Sequence, residues 1–152
     1  MDQQYLSKEG LEKLKAELLF RAGDERKAIS LRIKEAKEQG DLSENAEYSE
    51  AKDAQSKNEG RIQELGVLLD NAVLIAEGDH GGTVEVGSKI KVKSGTNSHE
   101  YTIVGAAESN PLQGYISNES PLGSAFLGRK EGESVNVVTP RGDVQYKILE
   151  VK

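Results

Sequence analysis

Hydrophobic positions in the first part of the chain recur at helical spacing. Between residues 7 and 39, apolar side chains lie three and four positions apart. These positions are Leu11, Leu14, Leu18, Ile29, Ile33 and Ala36. This spacing places the side chains on one face of an amphipathic helix, for which Ser7 is a plausible N-cap. Gly23 and Asp24 weaken the middle of the pattern, so we expect a bend or a shift of register there.

A second helical pattern covers residues 43–76 and is more regular. One set of positions alternates steps of three and four, at Tyr48, Ala51, Gln55, Asn58, Ile62, Leu65, Leu69 and Ala72, and most of its members are apolar. This is the pattern of a coiled-coil seam, in which the polar Gln55 and Asn58 set the register at a cost in stability. We predict that the two helices form an antiparallel hairpin about 45 Å long, at 1.5 Å per residue.

The nine residues 40–48, with the sequence GDLSENAEY, lie between the two helical patterns. Gly40 is expected to close the first helix in a left-handed conformation, and Ser43 or Asp41 to cap the second. Asp41 and Glu44 then flank a tight turn. Helix capping explains both acidic residues by itself. Two carboxylates in one turn also suit a hard cation such as Mg²⁺, but they hold it only weakly unless a partner supplies further ligands.

The second half of the chain follows a strand pattern. A glycine-rich linker at residues 77–83 precedes short β-rich runs, which cover residues 89–93, 101–104, 114–116, 134–139 and 144–151. Ser120 and Pro121 suit the start of a short helix, whose Leu122, Phe126 and Leu127 would cover the sheet. The predicted fold is α+β, with a coiled-coil hairpin domain at 1–76 and a small antiparallel β domain with one short helix at 84–152.

Composition excludes several classes of protein. The 152 residues carry a net charge of −6 and neither half has the overall basic footprint of an autonomous nucleic-acid binder, so any nucleic-acid contact must be local or must occur inside a complex with another protein. There is no cysteine, so disulfides and cysteine-bound zinc are excluded. The N-terminal residues lack a signal-peptide pattern and no apolar run approaches the length of a membrane span. We expect a cytoplasmic protein with no membrane partner.

The turn sequence at residues 40–48 resembles, residue for residue, the signature of the bacterial GreA/GreB transcript cleavage factors. The resemblance continues at residues 5–10 (YLSKEG), 59–62 (EGRI), 120–123 (SPLG) and 127–128 (LG). It therefore covers essentially the whole chain. It implies an N-terminal antiparallel coiled coil and a C-terminal domain similar to FK506-binding proteins. The acidic balance of the chain is more similar to GreA than to the more basic GreB.

The resemblance also implies a function and its residues. The coiled coil would enter the secondary channel of RNA polymerase, where Asp41 and Glu44 would help to hold a second Mg²⁺ and the attacking water. The polymerase itself would cleave the displaced 3′ end of a backtracked RNA, so the factor is not an enzyme. Lys37 and Lys52 match a basic patch that faces the RNA. Judged without the resemblance, both are ordinary solvated lysines.

Contacts outside the channel follow from the same resemblance. Glu119, Ser120 and Pro121 fall where the C-terminal domain would dock on the polymerase. A contact with DNA inside the complex and a monomeric factor are further expectations. Two alternatives stay open. One is a channel-binding antagonist of polymerase, although such proteins have an altered acidic tip. The other is a peptide-binding or prolyl isomerase-like module, which needs an aromatic pocket from Tyr101, Tyr115, Phe126 and Tyr146.

Overall fold

The computed structural model describes residues 3–41, 45–78 and 80–152. The chain divides into two compact units. One comprises the described part of Met1–Gly10 together with Ala72–Lys152, and the other is Leu11–Asn71. The helical hairpin is thus inserted, along the chain, between a first short strand and the remainder of a sheet-rich unit.

The two predicted helical stretches are confirmed, with one interruption. The first consists of α1 (Lys8–Phe20), a π-helical turn (Arg21–Glu25) and α2 (Arg26–Glu38), and the second is α3 (Ala46–Asp70). The π-helical turn contains Gly23, so the expected irregularity takes the form of a widened turn. No helix in the described ranges is long and apolar enough to cross a membrane.

The seam predicted for α3 is confirmed for its first seven positions. The eighth, Ala72, lies in a strand and not in the helix. Ala51, Asn58 and Leu65 are buried, while Tyr48, Gln55, Ile62 and Leu69 are half-buried. Across from them, Ile29 and Ile33 of α2 form a buried cluster with Ala51, against which Tyr48 and Ala54 pack. The prediction that α3 extends to residue 76 is wrong. It ends at Asp70, because residues 72–74 form a strand instead.

That strand, β2 (Ala72–Leu74), pairs in parallel with β1 (Gln4–Leu6). Tyr5 lies opposite Val73, and the Ile75 N–H donates to the Leu6 carbonyl at 2.8 Å. Leu6 is fully buried. The residues before α1 are therefore joined by backbone hydrogen bonds to the residues after α3. The sequence pattern did not predict this pair, because three residues are too few to show a period.

The first turn of α1 is capped twice. The Ser7 hydroxyl accepts a hydrogen bond from the Gly10 N–H at 3.0 Å, which confirms the predicted N-cap. The Glu108 carboxylate accepts from the Ser7 N–H at 2.7 Å and from the Ser7 hydroxyl at 2.5 Å. A Cβ atom added to Gly10 would lie 2.3 Å from the Glu108 carboxylate, so a larger residue here would displace the Glu108 side chain from Ser7.

A five-stranded sheet forms the centre of the sheet-rich unit, which includes Ala72–Lys152. Its strands are β3 (Lys89–Ser94), β4 (Asn97–Val104), β5 (Tyr115–Ser117), β6 (Ser134–Thr139) and β7 (Gly142–Val151), in the order β5-β4-β3-β7-β6. The pairs β3–β4, β3–β7 and β6–β7 are antiparallel as predicted, but β4–β5 is parallel. Two short 3₁₀ turns between β4 and β5 bring the chain back in the same direction, where a tight hairpin turn would reverse it.

One face of this sheet packs on the short helix α4 (Pro121–Phe126). Phe126 is fully buried, and Leu122 and Leu127 pack against the core as predicted. Tyr101 and Tyr146 flank Phe126, with ring centroids 6.3 and 5.6 Å away. Phe126 thus belongs to the core and the two half-buried tyrosines pack against it, so these side chains serve core packing, as the small core requires. Tyr115 is 41% exposed and does not belong to this cluster.

Candidate functional site at the tip of the helical hairpin

The turn between α2 and α3 begins as the sequence predicts. Gln39 is the C-cap of α2, and Gly40 follows it with a φ of +132°, a conformation that side-chain-bearing residues rarely adopt. Asp41 comes next and is exposed. A glycine at position 40 therefore allows the chain to leave α2 abruptly and places Asp41 at the surface of the turn.

Asn45 closes the turn from the other side. It is the N-cap of α3, and its Oδ1 accepts a hydrogen bond from the Tyr48 N–H at 3.1 Å. Its Nδ2 donates to the Ala36 carbonyl of α2 at 2.7 Å. One amide side chain thus links the end of α2 to the start of α3. An ionised carboxylate could not make both bonds, because it has no donor.

The N-cap prediction needs correction. The sequence favoured Ser43 or Asp41, but the cap is Asn45, and Ser43 lies outside the described residues. Asp41 is thus not the N-cap residue of α3. Glu44, the second predicted acidic residue of the site, also lies outside the described residues.

The donor chemistry of the turn suits a hard cation that is shared with another molecule. Carboxylate oxygens are the ligands Mg²⁺ prefers, and a pair of them leaves most of its six positions open. In the part of the chain that the structure describes, no group of three His, Cys, Asp or Glu side chains could hold a metal ion. A shared metal site that uses Asp41 and Glu44 stays a prediction, because Glu44 lies outside the described residues.

A cleft of about 290 Å³ lies beside the turn, on the hairpin itself. It is lined by Arg32, Glu35, Ala36, Gln39, Glu47 and Glu50. Its lining is almost entirely polar, whereas pockets for small molecules are mostly apolar. We therefore do not assign a small-molecule site to the tip.

The two lysines predicted to face RNA are both exposed, one on each helix. Lys37 lies in the last turn of α2, where a positive charge is favourable at the negative end of the helix dipole. Lys52 lies in the second turn of α3 and donates a hydrogen bond to Gln55 Oε1 at 2.9 Å. Exposure is compatible with both an RNA-facing role and an ordinary solvated lysine, so this role stays a prediction.

The predicted docking residues lie at the start of α4 and differ in what they present. The Ser120 hydroxyl donates to the Ser117 carbonyl at 2.7 Å and accepts from the Gly123 N–H at 3.0 Å, so it is used in capping. Glu119 and Pro121 are exposed. A Cβ atom on Gly123 would lie 2.0 Å from the Ser117 oxygen, so glycine is needed for this tight approach. Of the three predicted residues, Glu119 and Pro121 are therefore the ones available to a partner.

A charged cluster that the sequence analysis missed joins the two stretches of the hairpin. Glu17 accepts hydrogen bonds from Arg61 at 2.9 and 3.1 Å and from Arg21 at 2.8 Å. Arg61, supported by Arg21, holds the pKa of the Glu17 carboxyl at about 2, against the opposing effect of burial. Glu17 and Arg61 are 44 residues apart, so no local sequence pattern predicts that they form an ion pair.

Two family models match the chain and together cover most of it. The model described as the N-terminal part of a transcription elongation factor matches residues 4–74. The model described as the GreA/GreB C-terminal part of a transcription elongation factor matches residues 79–152.

Curated relatives match over nearly the full length. The transcription elongation factor GreA of Chloroflexus aurantiacus is 49% identical over 151 residues, which cover 97% of this chain and 96% of the relative. The GreA of Caldanaerobacter subterraneus is 45% identical over 150 residues, covering 97% and 96%. The crystal structure of GreA factor homolog 1 from Thermus thermophilus is 26% identical, with 99% of both chains covered and a TM-score of 0.46.

Proposed function

Since the chain belongs to the GreA/GreB family of transcription elongation factors, we propose that it enters the secondary channel of RNA polymerase and stimulates cleavage of backtracked RNA. The observation that carries this proposal is the turn between α2 and α3. Asp41 lies exposed in that turn, and Asn45 bonds to both helices and closes it. The tip thus presents the acidic side chain of Asp41 on a turn in which Asn45 is hydrogen-bonded to both α2 and α3.

Asp41 and Glu44 act in this proposal as ligands and not as a nuclease. The polymerase supplies the primary metal site and performs the cleavage. When bound at the shared site, Mg²⁺ activates a water and stabilises the leaving oxygen. The part played by this chain is to bring two carboxylates to that site and to orient the attacking water through their oxygens. The factor itself is not an enzyme.

The other predicted residues have supporting roles in the same complex. Lys37 and Lys52 face the phosphates of the displaced RNA 3′ segment, which opposite charge favours. Glu119 and Pro121 contact the polymerase at the channel mouth, with the Ser120 cap holding that loop in shape. One copy of the chain serves one polymerase, because the channel accepts a single hairpin.

The test is transcript cleavage in stalled, backtracked complexes of bacterial RNA polymerase, measured against Mg²⁺ concentration. Asp41→Asn and Glu44→Gln keep the shape and an oxygen acceptor but remove the charge that binds a hard cation. Each variant should fold, should compete with wild type for polymerase, and should lose most of the stimulated cleavage. Raising Mg²⁺ should restore part of the rate, because mass action refills a weakened site.

Two results would contradict the proposal. Equal cleavage by wild type and both variants at limiting Mg²⁺ would leave the two acidic residues without a role in chemistry. Wild-type chain that binds polymerase and slows cleavage would make it an antagonist that uses the same channel. Glu47→Gln, an exposed position in the first turn of α3, is the matched control and should leave cleavage unchanged.

A further inference from the structure

The five-stranded sheet has a second face, turned away from α4 and the core. Along β3 the side chains alternate strictly, with Ile90 and Val92 buried and Lys89, Lys91 and Lys93 exposed. The register of the neighbouring strands extends this exposed face. Its further members are Ser98, Glu100, Thr102, Tyr115, Ser134, Asn136, Val138, Asp143, Gln145, Lys147, Glu150 and Lys152. We call these residues, together with the three lysines of β3, the lysine face.

Lysines lie directly opposite one another at two places on the lysine face. Lys89 and Lys152 exchange both backbone hydrogen bonds, at 3.0 and 2.8 Å. Lys93 lies opposite Lys147 in the β3–β7 register. Like charges directly opposite each other on one face destabilise a sheet. Each pair therefore costs folding stability and carries a concentrated positive charge.

Between these two pairs, the positive charge of Lys91 is balanced by acidic neighbours. Lys91 lies opposite Glu100 on one side and Glu150 on the other. Lys152 forms an ion pair with Glu150 at 3.4 Å. On the lysine face, which lies in the fully described range 80–152, the lysines that form no ion pair are Lys89, Lys91, Lys93 and Lys147. The lysine face is locally positive in a chain whose net charge is −6.

The neighbours of the lysine pairs are hydrogen-bond donors. Thr102 lies opposite Lys89, Ser98 lies opposite Lys93, and Ser134 lies opposite Lys147. Ammonium groups flanked by hydroxyls suit phosphate oxygens, which accept from both kinds of donor. The first pair also borders a depression of about 360 Å³ that Lys89, Lys91, Lys152 and Tyr115 help to line.

From this arrangement we propose that the lysine face binds the phosphate backbone of duplex DNA. The two lysine pairs are four residues apart along β3, about 13 Å at 3.3 Å per residue, so they engage separate phosphates. Single strands are bound on platforms of several aromatic side chains. Tyr115 is the one aromatic residue of this face, within the fully described range 80–152, so stacking contributes little. The proposal does not depend on the chemistry at the hairpin tip.

Duplex binding by the full-length chain tests the proposal, with fluorescence anisotropy of a labelled duplex of random sequence at several salt concentrations. The variant Lys93→Gln/Lys147→Gln should bind less tightly and reduce the magnitude of the slope of log K against log salt by about 0.9, the value for the one phosphate contact that this pair makes. Glu100→Gln/Glu150→Gln should bind more tightly, because the balancing charges are removed. Lys27→Gln/Lys34→Gln, which removes two exposed lysines from α2, is the matched control and should keep the wild-type slope.

Thermal unfolding separates binding from folding. Lys93→Gln/Lys147→Gln should melt at or above the wild-type temperature, since an opposed pair of like charges is lost. Unchanged duplex affinity and slope in this variant would overturn the proposal. Tighter binding of a single-stranded RNA of equal length through the same lysines would also overturn it. So would weaker polymerase binding with unchanged duplex affinity, which would assign the face to an acidic protein surface.

Discussion

Asn58 and Arg21 exchange two hydrogen bonds across the hairpin. The Asn58 amide donates to the Arg21 backbone carbonyl at 3.0 Å, and the Arg21 guanidinium donates to Asn58 Oδ1 at 3.3 Å. Arg21 opens the π-helical turn, where the regular hydrogen-bond ladder is interrupted. The polar seam residue of α3 therefore meets the irregular turn of the opposite helix, and each satisfies the other.

This relationship predicts that Asn58 contributes more to stability than its polar neighbour in the seam. Asn58 is only 3% exposed, and Asn58→Ala leaves the Arg21 carbonyl without its side-chain donor. We expect a loss of about 1–3 kcal/mol in the free energy of unfolding. Gln55→Ala is the matched control, because Gln55 is half-buried and bonds only to the exposed Lys52. Urea unfolding followed by circular dichroism measures both; equal losses would argue against a special role for Asn58.

The Glu17 cluster predicts a pH-dependent contribution to stability. The Glu17 pKa lies at about 2 in the folded chain, below its ordinary 4.5, so the unfolded chain binds the proton more readily. The stabilisation is complete above pH 4.5 and is lost progressively as the pH falls towards 2. Because the cluster is partly exposed to solvent, Glu17→Gln should cost on the order of 1 kcal/mol at neutral pH.

The measurement for Glu17 is the difference in unfolding free energy between wild type and Glu17→Gln across this pH range. The difference should shrink as the solution is acidified from pH 6. Glu12→Gln is a suitable control, because Glu12 forms only a long, exposed contact with Lys15 at 3.9 Å. A difference that stays constant down to the acid-unfolding limit would contradict the assigned pKa.

Asn45 should matter in two separable ways. Asn45→Asp keeps the oxygen that caps α3 but loses the donor to the Ala36 carbonyl, whereas Asn45→Ala loses both. Loss of the cap should cost about 0.5–2 kcal/mol, so Asn45→Ala should be the less stable of the two variants. Hydrogen exchange at the Tyr48 amide reports the cap directly. Wild-type protection of this amide in Asn45→Ala would show that another group caps α3.

Docking through the start of α4 can be tested without disturbing the loop. Pro121→Glu adds an exposed charge at the first helical position, where an acidic residue suits the helix dipole. It should weaken polymerase binding while the unfolding temperature stays close to wild type. Ser109→Glu adds the same charge at another exposed position and is the control. Equal polymerase binding by wild type and Pro121→Glu in a pull-down would place the docking surface elsewhere. Ser120 is left intact, because its hydroxyl caps the helix.

Much of the fold follows from local patterns. Steps of three and four identified both helical stretches, and strict alternation identified β3, β6 and β7, because burial of one face imposes those periods on the sequence. The sequence correctly predicted that Gly40 ends the first helical stretch and that Ser120 caps the short helix that starts at Pro121, since the conformations these residues favour are local properties. The family signature at residues 40–48 is likewise a property of the sequence alone, and it identified Asp41 and Glu44 as candidate residues.

Only the tertiary structure determined the relationships between residues that are far apart in the chain. The end of α3 at Asp70 follows from the pairing of Ala72–Leu74 with a strand more than sixty residues earlier. The choice of Asn45 as the cap depends on the Ala36 carbonyl within reach across the turn. The opposed lysines become visible only once the register of β3 and β7 is known. The physical reason is the same in each case. The local period of apolar residues determines whether a segment forms a helix or a strand. Hydrogen bonds and charges between segments determine where that helix or strand ends and which surface it contributes to.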